Sequence, residues 1–209
     1  SNVVSEFTKK KDFGIDIIGF HGQTILHSPK NKYSKQLGDG NLLSQLSKKK
    51  VIYNFRQNDL LQGGEGAPLS PIFHQIIVKE KKINLPVCIL NIGGISNLTL
   101  IKDLKEENLV SKDIGPGNCL IDEWIRRNKK GNYDSNGELA SRGKTNKLIL
   151  DQSLDDYENI SAKNINSFDV NDFEINFLRG LDLEDGASTI TDFTSNIIAS
   201  RLLATISKY

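Results

Sequence analysis

Apolar and polar residues alternate in short blocks along the first 130 residues, and the blocks predict strands and helices in turn. Segment 14–20 (GIDIIGF) is rich in isoleucine and bounded by glycine, which is typical of a buried strand. Segments 51–55 (VIYNF) and 86–94 (PVCILNIGG) predict two more strands. Residues 96–103 (SNLTLIKD) are expected to form a hairpin with 86–94, and 109–117 (LVSKDIGPG) is strand-like.

Helical periodicity falls between these strands. Residues 41–49 (NLLSQLSKK) predict a helix with Asp39 or Asn41 as its N-cap, and residues 71–80 predict a second with Pro71 in the first turn. Residues 118–130 (NCLIDEWIRRNKK) form an amphipathic pattern that ends in basic residues, and a last helix is expected to begin near Ala187. The glycine-rich and proline-rich segment 56–71 predicts a long loop, and 130–185 carries no assignment. The alternation predicts an α/β fold with a mixed sheet.

Composition narrows the class of protein. The 209 residues carry a formal net charge of +1, which gives no overall field favouring nucleic acid or a membrane surface. Two cysteines without CxxC spacing predict buried free thiols and no zinc site. No apolar run reaches membrane-spanning length and no secretory leader is visible, so a cytoplasmic protein is expected.

The segment DIGPGNCLIDEW (113–124) places a carboxylate before a bent glycine-proline-glycine corner and a helix. Asp113 there could act as a general base towards a bound hydroxyl or water. The helix N-terminus and the loop amides would attract phosphate. The equally weighted alternative is that Asp113 caps the helix, although Asn118 could supply that cap and leave Asp113 for chemistry.

The segment LNIGGISN (90–97) ends a strand in two glycines, Gly93 and Gly94. Backbone N–H groups without a neighbouring Cβ can approach an anion closely, and Asn91 and Asn97 could add side-chain donors. The alternative is a tight hairpin turn whose glycines only supply positive φ angles.

Arg56 and Asp59 follow a predicted strand end, where clefts of α/β proteins open. An arginine at such a position can bind a carboxylate through two hydrogen bonds, and an aspartate can accept hydrogen bonds from sugar hydroxyls. The alternative interpretation is that Arg56 and Asp59 form an ion pair on the surface. That alternative leaves the glycine-rich run around Gly66 unexplained, so this loop is expected to bind substrate.

The segment HGQTILH (21–27) crowds polar groups into a predicted turn. Two histidines suggest a metal pair, but no cysteine or compact carboxylate set completes a coordination shell, so no metal site is predicted. His21 and Gln23 are expected to contact substrate, and His27 is expected to be structural.

Four stretches together resemble the anhydro-N-acetylmuramic acid kinase family of the sugar-kinase/Hsp70/actin superfamily: IGFHGQTILHSP, NFRQNDLLQGGEGAPLSPIFH, LNIGGISNLTLI and DIGPGNCLIDEWI. The resemblance covers 15–145 well and continues more weakly through NINSFDVNDF and LEDGASTITDFT. It implies a mixed-sheet, actin-like (ribonuclease H-like) two-domain sugar-kinase fold, here incomplete. Residues 1–84 would belong to the first domain, with the substrate loop, and 85–209 to the second, with the phosphate-binding hairpin and the catalytic aspartate.

The resemblance also implies a reaction. ATP with Mg²⁺ would drive hydrolytic ring opening and 6-phosphorylation of 1,6-anhydro-N-acetylmuramic acid during cell-wall recycling, and the enzyme would be a possible homodimer. Asp113 matches the family's catalytic aspartate, while Arg56 and Asp59 match its substrate loop. The nucleotide would be held by Asn91, Gly93, Gly94, Asn97, Gly115, Gly117 and Asn118.

The sequence departs from the family pattern in several places. Asn54 stands where aspartate is usual before Phe-Arg, and Glu65 stands where glutamine is common. The family's first phosphate-binding hairpin and its later adenosine-binding segment have no match, so little or no ATP-dependent activity is expected of these 209 residues alone. Two other functions remain open: a non-catalytic sugar-binding or sensing module, and a hydrolase pairing Asp113 with Asp59 or Glu65.

Overall fold

The computed structural model describes residues 3–6, 14–105, 108–161, 168 and 170–208. The chain forms two compact units, Ser1–Ser70 and Pro71–Tyr209. The sequence places the domain boundary further along, after residue 84, on the far side of the helix that opens the second unit.

The described part of the first unit contains two small sheets, two helices and one further helical turn at residues 3–6. Strands β1 (Ile17–Phe20) and β4 (Lys50–Tyr53) pair in parallel, and β2 (Gln23–Ser28) and β3 (Tyr33–Leu37) pair antiparallel around a 3₁₀ turn, Pro29–Asn31. Helices α1 and α2 span Gly40–Ser47 and Phe55–Leu61.

Strand β1 forms as predicted but is not buried. Ile17 is 53% exposed, because within the described residues the β1–β4 pair has no third strand beside it. The turn predicted at 21–27 is also wrong, since this segment enters β2. Its polar residues are accommodated across the hairpin, where the Gln36 side-chain amide donates to Thr24 Oγ1 at 3.3 Å.

Helix α1 confirms the predicted cap, since the Asp39 carboxylate accepts the Leu42 N–H at 3.0 Å. Helix α2 corrects the prediction that 56–71 is loop throughout. The helix is anchored by Leu60, which is fully buried, and begins after Asn54, which has a left-handed φ of 59°. Asparagine tolerates this conformation better than most residues.

The second unit begins with α3 (Ser70–Glu80), which confirms the helix predicted with Pro71 in its first turn. Strands β5 (Val87–Ile92), β6 (Ile95–Ile101) and β7 (Leu109–Pro116) then form an antiparallel sheet in that order, as the predicted hairpin and third strand require. The expected α/β class, with both parallel and antiparallel pairing, is confirmed, although within the described residues the two kinds of pairing lie in separate sheets.

In the described residues after the sheet there are four further helices: α4 (Cys119–Arg127), α5 (Glu138–Arg142), α6 (Lys147–Ser161) and α7 (Leu183–Ile206), with 3₁₀ turns at Ser135–Gly137, Val170–Asp172 and Asn176–Leu178. Much of 130–185, unassigned from sequence, is therefore helical. Helix α7 begins before the predicted Ala187, because the Asp182 carboxylate accepts the Asp185 N–H at 2.9 Å and caps it.

The core of the second unit is built around α7. Ile190, Phe193 and Ile197 are buried in the main apolar cluster, which also contains Leu120 and Trp124 of α4. A second cluster joins the sheet to α7 and consists of Leu98, Leu100, Ile114 and Ile198. Of the two predicted buried thiols, Cys119 is buried and Cys88 is half-buried.

No helix within the described ranges combines the length and the apolar character needed to cross a bilayer.

Candidate functional site

The double-glycine turn and the start of α4 are joined by main-chain hydrogen bonds. The N–H groups of Gly117 and Cys119 donate to the Gly94 carbonyl at 2.9 and 3.2 Å, and the Asn118 N–H donates to the Gly93 carbonyl at 2.7 Å. These donors would otherwise be the unsatisfied N–H groups of a helix start. The turn therefore already satisfies the N–H groups of Gly117 and Asn118, and nucleotide binding by these two residues stays a prediction.

Asn118 does not cap the helix with its side chain either. Its backbone is helical, with φ −80° and ψ −11°, and no side-chain capping hydrogen bond is formed. A residue that caps a helix in this way has non-helical backbone angles, which leave its side chain free to turn back onto the first amides.

Gly93 and Gly94 have no conformational requirement for glycine. Neither lies among the residues of positive φ, and a Cβ on Gly94 would meet no atom of the described residues within 4 Å. The interpretation of this pair as a positive-φ hairpin turn is therefore wrong. A side chain at Gly94 would therefore not clash with the described residues, but it would block the approach of a ligand to the main chain of the turn.

Gly115 and Gly117 are different, because the fold itself requires both. A Cβ on Gly117 would lie 2.1 Å from the Gly93 carbonyl oxygen, and one on Gly115 would lie 2.6 Å from Cγ2 of Ile197. Their glycines are explained by close packing, so the bent corner is first a structural joint between the hairpin, α4 and α7.

The sheet register brings three predicted site residues into one row. Asn91 of β5 lies opposite Asn97 of β6, and Asn97 lies opposite Asp113 of β7. Directly opposed residues of antiparallel strands share a face of the sheet, so two amides and a carboxylate are neighbours beside the double-glycine turn.

Asp113 lies within β7 and is half-buried. Its Oδ2 atom accepts the N–H of Phe168 at 3.0 Å. The carboxylate is thus held by a main-chain group that lies 55 residues further along the chain. The residue does not line the cavity described below.

In the first unit, His21 and Arg56 are in contact. Arg56 Nε donates to His21 Nε2 at 3.2 Å, and His21 Nδ1 lies 2.9 Å from the Gly22 carbonyl oxygen. The two contacts together require the neutral tautomer with hydrogen on Nδ1. Partial burial lowers the pKa of Arg56 from its ordinary value.

Asp59 holds the glycine-rich loop from inside. Its Oδ2 atom accepts the N–H of the buried Gly66 at 2.7 Å. Arg56 and Asp59 do not form the surface pair considered above, since the ion pairs of the described residues are Arg127–Glu123 and Arg142–Glu184. One oxygen of Asp59 is thus committed to loop structure.

A cavity of about 210 Å³ opens in the first unit beside His21. Of the predicted substrate residues only His21 lines it, whereas Gln23 is exposed on β2 and Arg56, Asp59 and Gly66 lie elsewhere. Sequence reasoning missed its other walls, which come from the end of β1, from β3 and from the end of β4, and which strand pairing brings together. They are Phe20, Ser34, Lys35, Gln36, Gly38, Tyr53 and Asn54.

His27 is structural, as expected, with Nδ1 3.2 Å from Ser34 Oγ. Burial lowers its pKa, and the charge of Arg56 acts in the same direction. Within the described residues, no group of three or more histidine, cysteine, aspartate or glutamate side chains is placed to hold a metal ion.

Comparison with known proteins identifies the family. The sequence model of the anhydro-N-acetylmuramic acid kinase family matches residues 1–206. The chain belongs to the anhydro-N-acetylmuramic acid kinase family. It is 51% identical over 206 residues to the anhydro-N-acetylmuramic acid kinase of Pelagibacter ubique, a match that covers 99% of this chain and 55% of that protein.

Two other relatives carry the same name. The anhydro-N-acetylmuramic acid kinase of Zymomonas mobilis is 40% identical over 204 residues, covering 95% of this chain and 54% of the relative. That of Haemophilus influenzae is 41% identical over 161 residues, covering 75% and 41%. The chain thus spans about half the length of the anhydro-N-acetylmuramic acid kinases that it matches.

Proposed function

We propose that this chain supplies the phosphate-binding turn, the general base and part of the sugar site of an anhydro-N-acetylmuramic acid kinase. The reaction is the ATP-dependent hydrolytic opening and 6-phosphorylation of 1,6-anhydro-N-acetylmuramic acid, giving N-acetylmuramic acid 6-phosphate. Family membership supports the reaction class, and the contacts of the individual residues support the roles proposed for them.

The observation that carries the proposal is the open surface at Gly93 and Gly94. Neither glycine is required by backbone conformation or by packing against the described residues, since a Cβ on Gly94 would meet none of their atoms within 4 Å and one on Gly93 would make only ordinary contacts of 3.6 Å or more. Two adjacent residues without side chains let an anion approach the main chain, and the neighbouring amides of Asn91 and Asn97 add donors. Triphosphate is an anion suited to this turn, with Mg²⁺ carried on its oxygens to offset their charge.

Asp113 is proposed as the base. Its position beside Asn97, with Oδ2 fixed by the Phe168 N–H, holds a carboxylate near the double-glycine turn. There it would take a proton from the water that attacks the anomeric carbon, while the sugar O6 released by ring opening becomes the phosphoryl acceptor. A positioned general base typically contributes about 10²- to 10⁴-fold to a rate.

The first unit is proposed to bind the sugar. His21 accepts from Arg56 at Nε2 and donates to the Gly22 carbonyl from Nδ1, so it orients Arg56. The arginine is then the group that binds the substrate carboxylate, and the exposed amide of Gln23 on β2 is proposed as a further substrate contact. Asp59 acts through Gly66 by fixing the loop.

Residues 1–84 and 85–209 are further proposed to be parts of two actin-like domains of a cytoplasmic enzyme, with a homodimer as its assembly. The three-stranded meander β5–β6–β7 followed by α4 supports this for the second unit, because it is the order expected at the start of a ribonuclease H-like domain.

A chimaera tests the function. Residues 1–206 replace the matching 55% of the Pelagibacter ubique kinase, and the product is followed by mass spectrometry with and without ATP. The chimaera should form the 6-phosphate only with ATP, and Asp113→Asn should reduce turnover by at least about 10²-fold while sugar binding is retained. Lys144→Gln, outside the proposed site, is the matched control. Turnover by Asp113→Asn at the control's rate would remove the proposed base.

A sugar-sensing module without catalysis is the second candidate. It is favoured by the engagement of the Gly117, Asn118 and Cys119 amides by the turn, which leaves fewer donors for phosphate than the sequence suggests. A chimaera that binds the anhydro-sugar but forms no product with ATP would support this candidate instead. Product formation without ATP would indicate a hydrolase.

A further inference from the structure

The main-chain donor that holds Asp113 belongs to a residue whose side chain packs into the core of the second unit. Phe168 donates its N–H to Asp113 Oδ2 at 3.0 Å, and its ring is partly buried against the main apolar cluster. The centroid of this ring lies 5.3 Å from that of Phe173, and the two rings are tilted by 44°. Phe168 therefore contacts the proposed base with its main chain and the core with its side chain.

Phe168 belongs to an aromatic cluster formed by Phe168, Phe173, Tyr157 and Phe193. Phe173, which is 9% exposed, stacks on Tyr157 of α6 with ring centroids 6.2 Å apart. Tyr157 in turn contacts Phe193 of α7 edge to face at 6.0 Å. Aromatic pairs at such separations add stability beyond that of burial alone. The aromatic cluster thus connects the donor of Asp113 to α6 and α7.

The aromatic cluster also contacts β7 close to Asp113. A Cβ placed on Gly115, two residues after Asp113, would lie 3.2 Å from the hydroxyl oxygen of Tyr157. The strand that carries the carboxylate and the N–H group that binds it are therefore positioned by the same part of the core. Because protein interiors are densely packed and have low compressibility, this arrangement holds the donor at a fixed place relative to β7.

A fixed donor matters for a group that must take a proton. The last torsion of an aspartate side chain has only a broad preference of its own, so a hydrogen bond from a fixed N–H group selects the orientation of the carboxylate. A general base has to lie within hydrogen-bond reach of the proton that it removes. A displacement of about 1 Å at a reacting centre can cost about 10²-fold in rate.

We propose that Phe168 is a positioning residue for the kinase reaction. Its ring, packed on Phe173, holds the main-chain N–H that orients the Asp113 carboxylate towards the attacking water. The inference rests on the proposed function, because it takes Asp113 as the general base. Phe168 acts through Asp113, and its side chain influences the donor only through packing.

Phe177 provides a matched control for the loss of a ring. It is also partly buried against the main apolar cluster, and its ring centroid lies 5.0 Å from that of Phe193 with a tilt of 47°. Phe168→Ala and Phe177→Ala therefore remove rings of similar packing, but only the first change affects the residue that donates to Asp113.

The kinetic test uses the chimaera described above. Phe168→Ala should lower kcat by about ten- to a hundred-fold and leave KM for the anhydro-sugar unchanged, because the orientation of the base is lost while the sugar site is intact. Phe177→Ala should leave both constants close to those of the unaltered chimaera. Phe168→Leu, which keeps an apolar side chain against Phe173, should recover most of the lost kcat.

A spectroscopic measurement tests the contact without turnover. In the 209-residue chain with ¹³C-labelled aspartate carboxyl groups, the Asp113 resonance is assigned by its absence from Asp113→Asn. It should move in Phe168→Ala and stay in place in Phe177→Ala, because only the first variant displaces the donor. Urea unfolding followed by the fluorescence of Trp124 should give similar midpoints for the two alanine variants, since they lose similar packing.

The outcomes separate this inference from the proposed function. Equal kcat values for the two alanine variants, with Asp113→Asn still inactive, would overturn the positioning role and leave the base standing. A higher KM for Phe168→Ala with unchanged kcat would overturn it too, as would an Asp113 resonance that does not move in that variant. Equal kcat values for Phe168→Leu and Phe168→Ala would reject packing as the means of positioning. Full turnover by Asp113→Asn would reject the base and this inference with it.

Discussion

The joint between the double-glycine turn and α4 makes a sharp prediction for Gly117→Ala. The new Cβ would lie 2.1 Å from the Gly93 carbonyl oxygen and 3.0 Å from Ser96 Oγ. The first of these is a main-chain atom, which cannot move without carrying the turn with it. Because Gly117 does not have a left-handed φ, alanine introduces no backbone strain there. Any loss of stability therefore reports the steric contact between the new Cβ and the Gly93 carbonyl oxygen.

The magnitude follows from the hydrogen bonds that the displacement breaks. Three main-chain bonds, at 2.9, 2.7 and 3.2 Å, join the turn to α4. At about 1 kcal/mol net for each bond, their loss costs about 3 kcal/mol. For a protein of this size 1 kcal/mol lowers Tm by about 2–4 °C, so Gly117→Ala should lower Tm by about 6–12 °C.

The assay is urea unfolding followed by tryptophan fluorescence. The sequence has a single tryptophan, Trp124, which is buried in α4 of the second unit. Its emission therefore reports the unit that contains the joint. The midpoint should fall while the slope of free energy against urea stays unchanged, because the surface exposed on unfolding is the same.

Gly94→Ala is the matched control, since its Cβ would meet nothing within 4 Å. It should leave the free energy of unfolding within about 0.5 kcal/mol of the unchanged chain, as surface substitutions usually do. It should nevertheless weaken pyrophosphate binding at the turn. If the free energy of unfolding of Gly117→Ala also stays within about 0.5 kcal/mol of that of the unchanged chain, the contact with the Gly93 carbonyl oxygen does not constrain packing and the reasoning is refuted.

Three further predictions concern the first unit. Asp39→Ala removes the cap of α1 and should cost about 1 kcal/mol, measured by urea unfolding with circular dichroism, with Asp39→Ser retaining most of it. Asp59→Ala should lower the free energy of unfolding by about 1–3 kcal/mol, because it leaves the buried Gly66 N–H without an acceptor. Asp59→Asn keeps an acceptor and should lose less stability. Equal losses in the two variants, measured by urea unfolding, would contradict a stabilising role for the Asp59–Gly66 hydrogen bond. Burial lowers the pKa of His27 in the folded chain, so the neutral side chain makes its full contribution to stability at pH values above its pKa in the unfolded chain, which is about 6.5. It should be lost as pH falls from there through the lower folded value, since the unfolded chain protonates first. His27→Gln should remove this part of the pH dependence, and an unaltered profile would show that another group causes it.

Sequence alone determined the features that depend on neighbours a few residues away. The amphipathic pattern of α4, the Asp39 cap and the hairpin of 86–103 are all present as predicted, because helix periodicity, capping and strand alternation are encoded in local spacing. The family resemblance was also available from sequence, since it rests on motifs read in order along the chain.

Local patterns failed where a distant segment decided the outcome. Residues 21–27 look like a polar turn, but β3 supplies partners for their side chains and makes them a strand. The glycine-rich stretch after Tyr53 looks like a loop throughout, but burial of Leu60 stabilises α2 at its start. Helix α7 begins before Ala187 because Asp182 caps it, a signal present in the sequence that the polar surroundings obscured.

The site shows the same division most clearly. Sequence identified Asp113, Asn97 and the double glycine as chemically notable, because residue type and order are local properties. Only the tertiary structure placed Asn97 opposite Asp113 and paired the N–H groups at the start of α4 with the Gly93 and Gly94 carbonyls. The physical reason is that a polar group's partner is set by which segments pair and pack across long separations in sequence, and spacing along the chain does not specify that pairing.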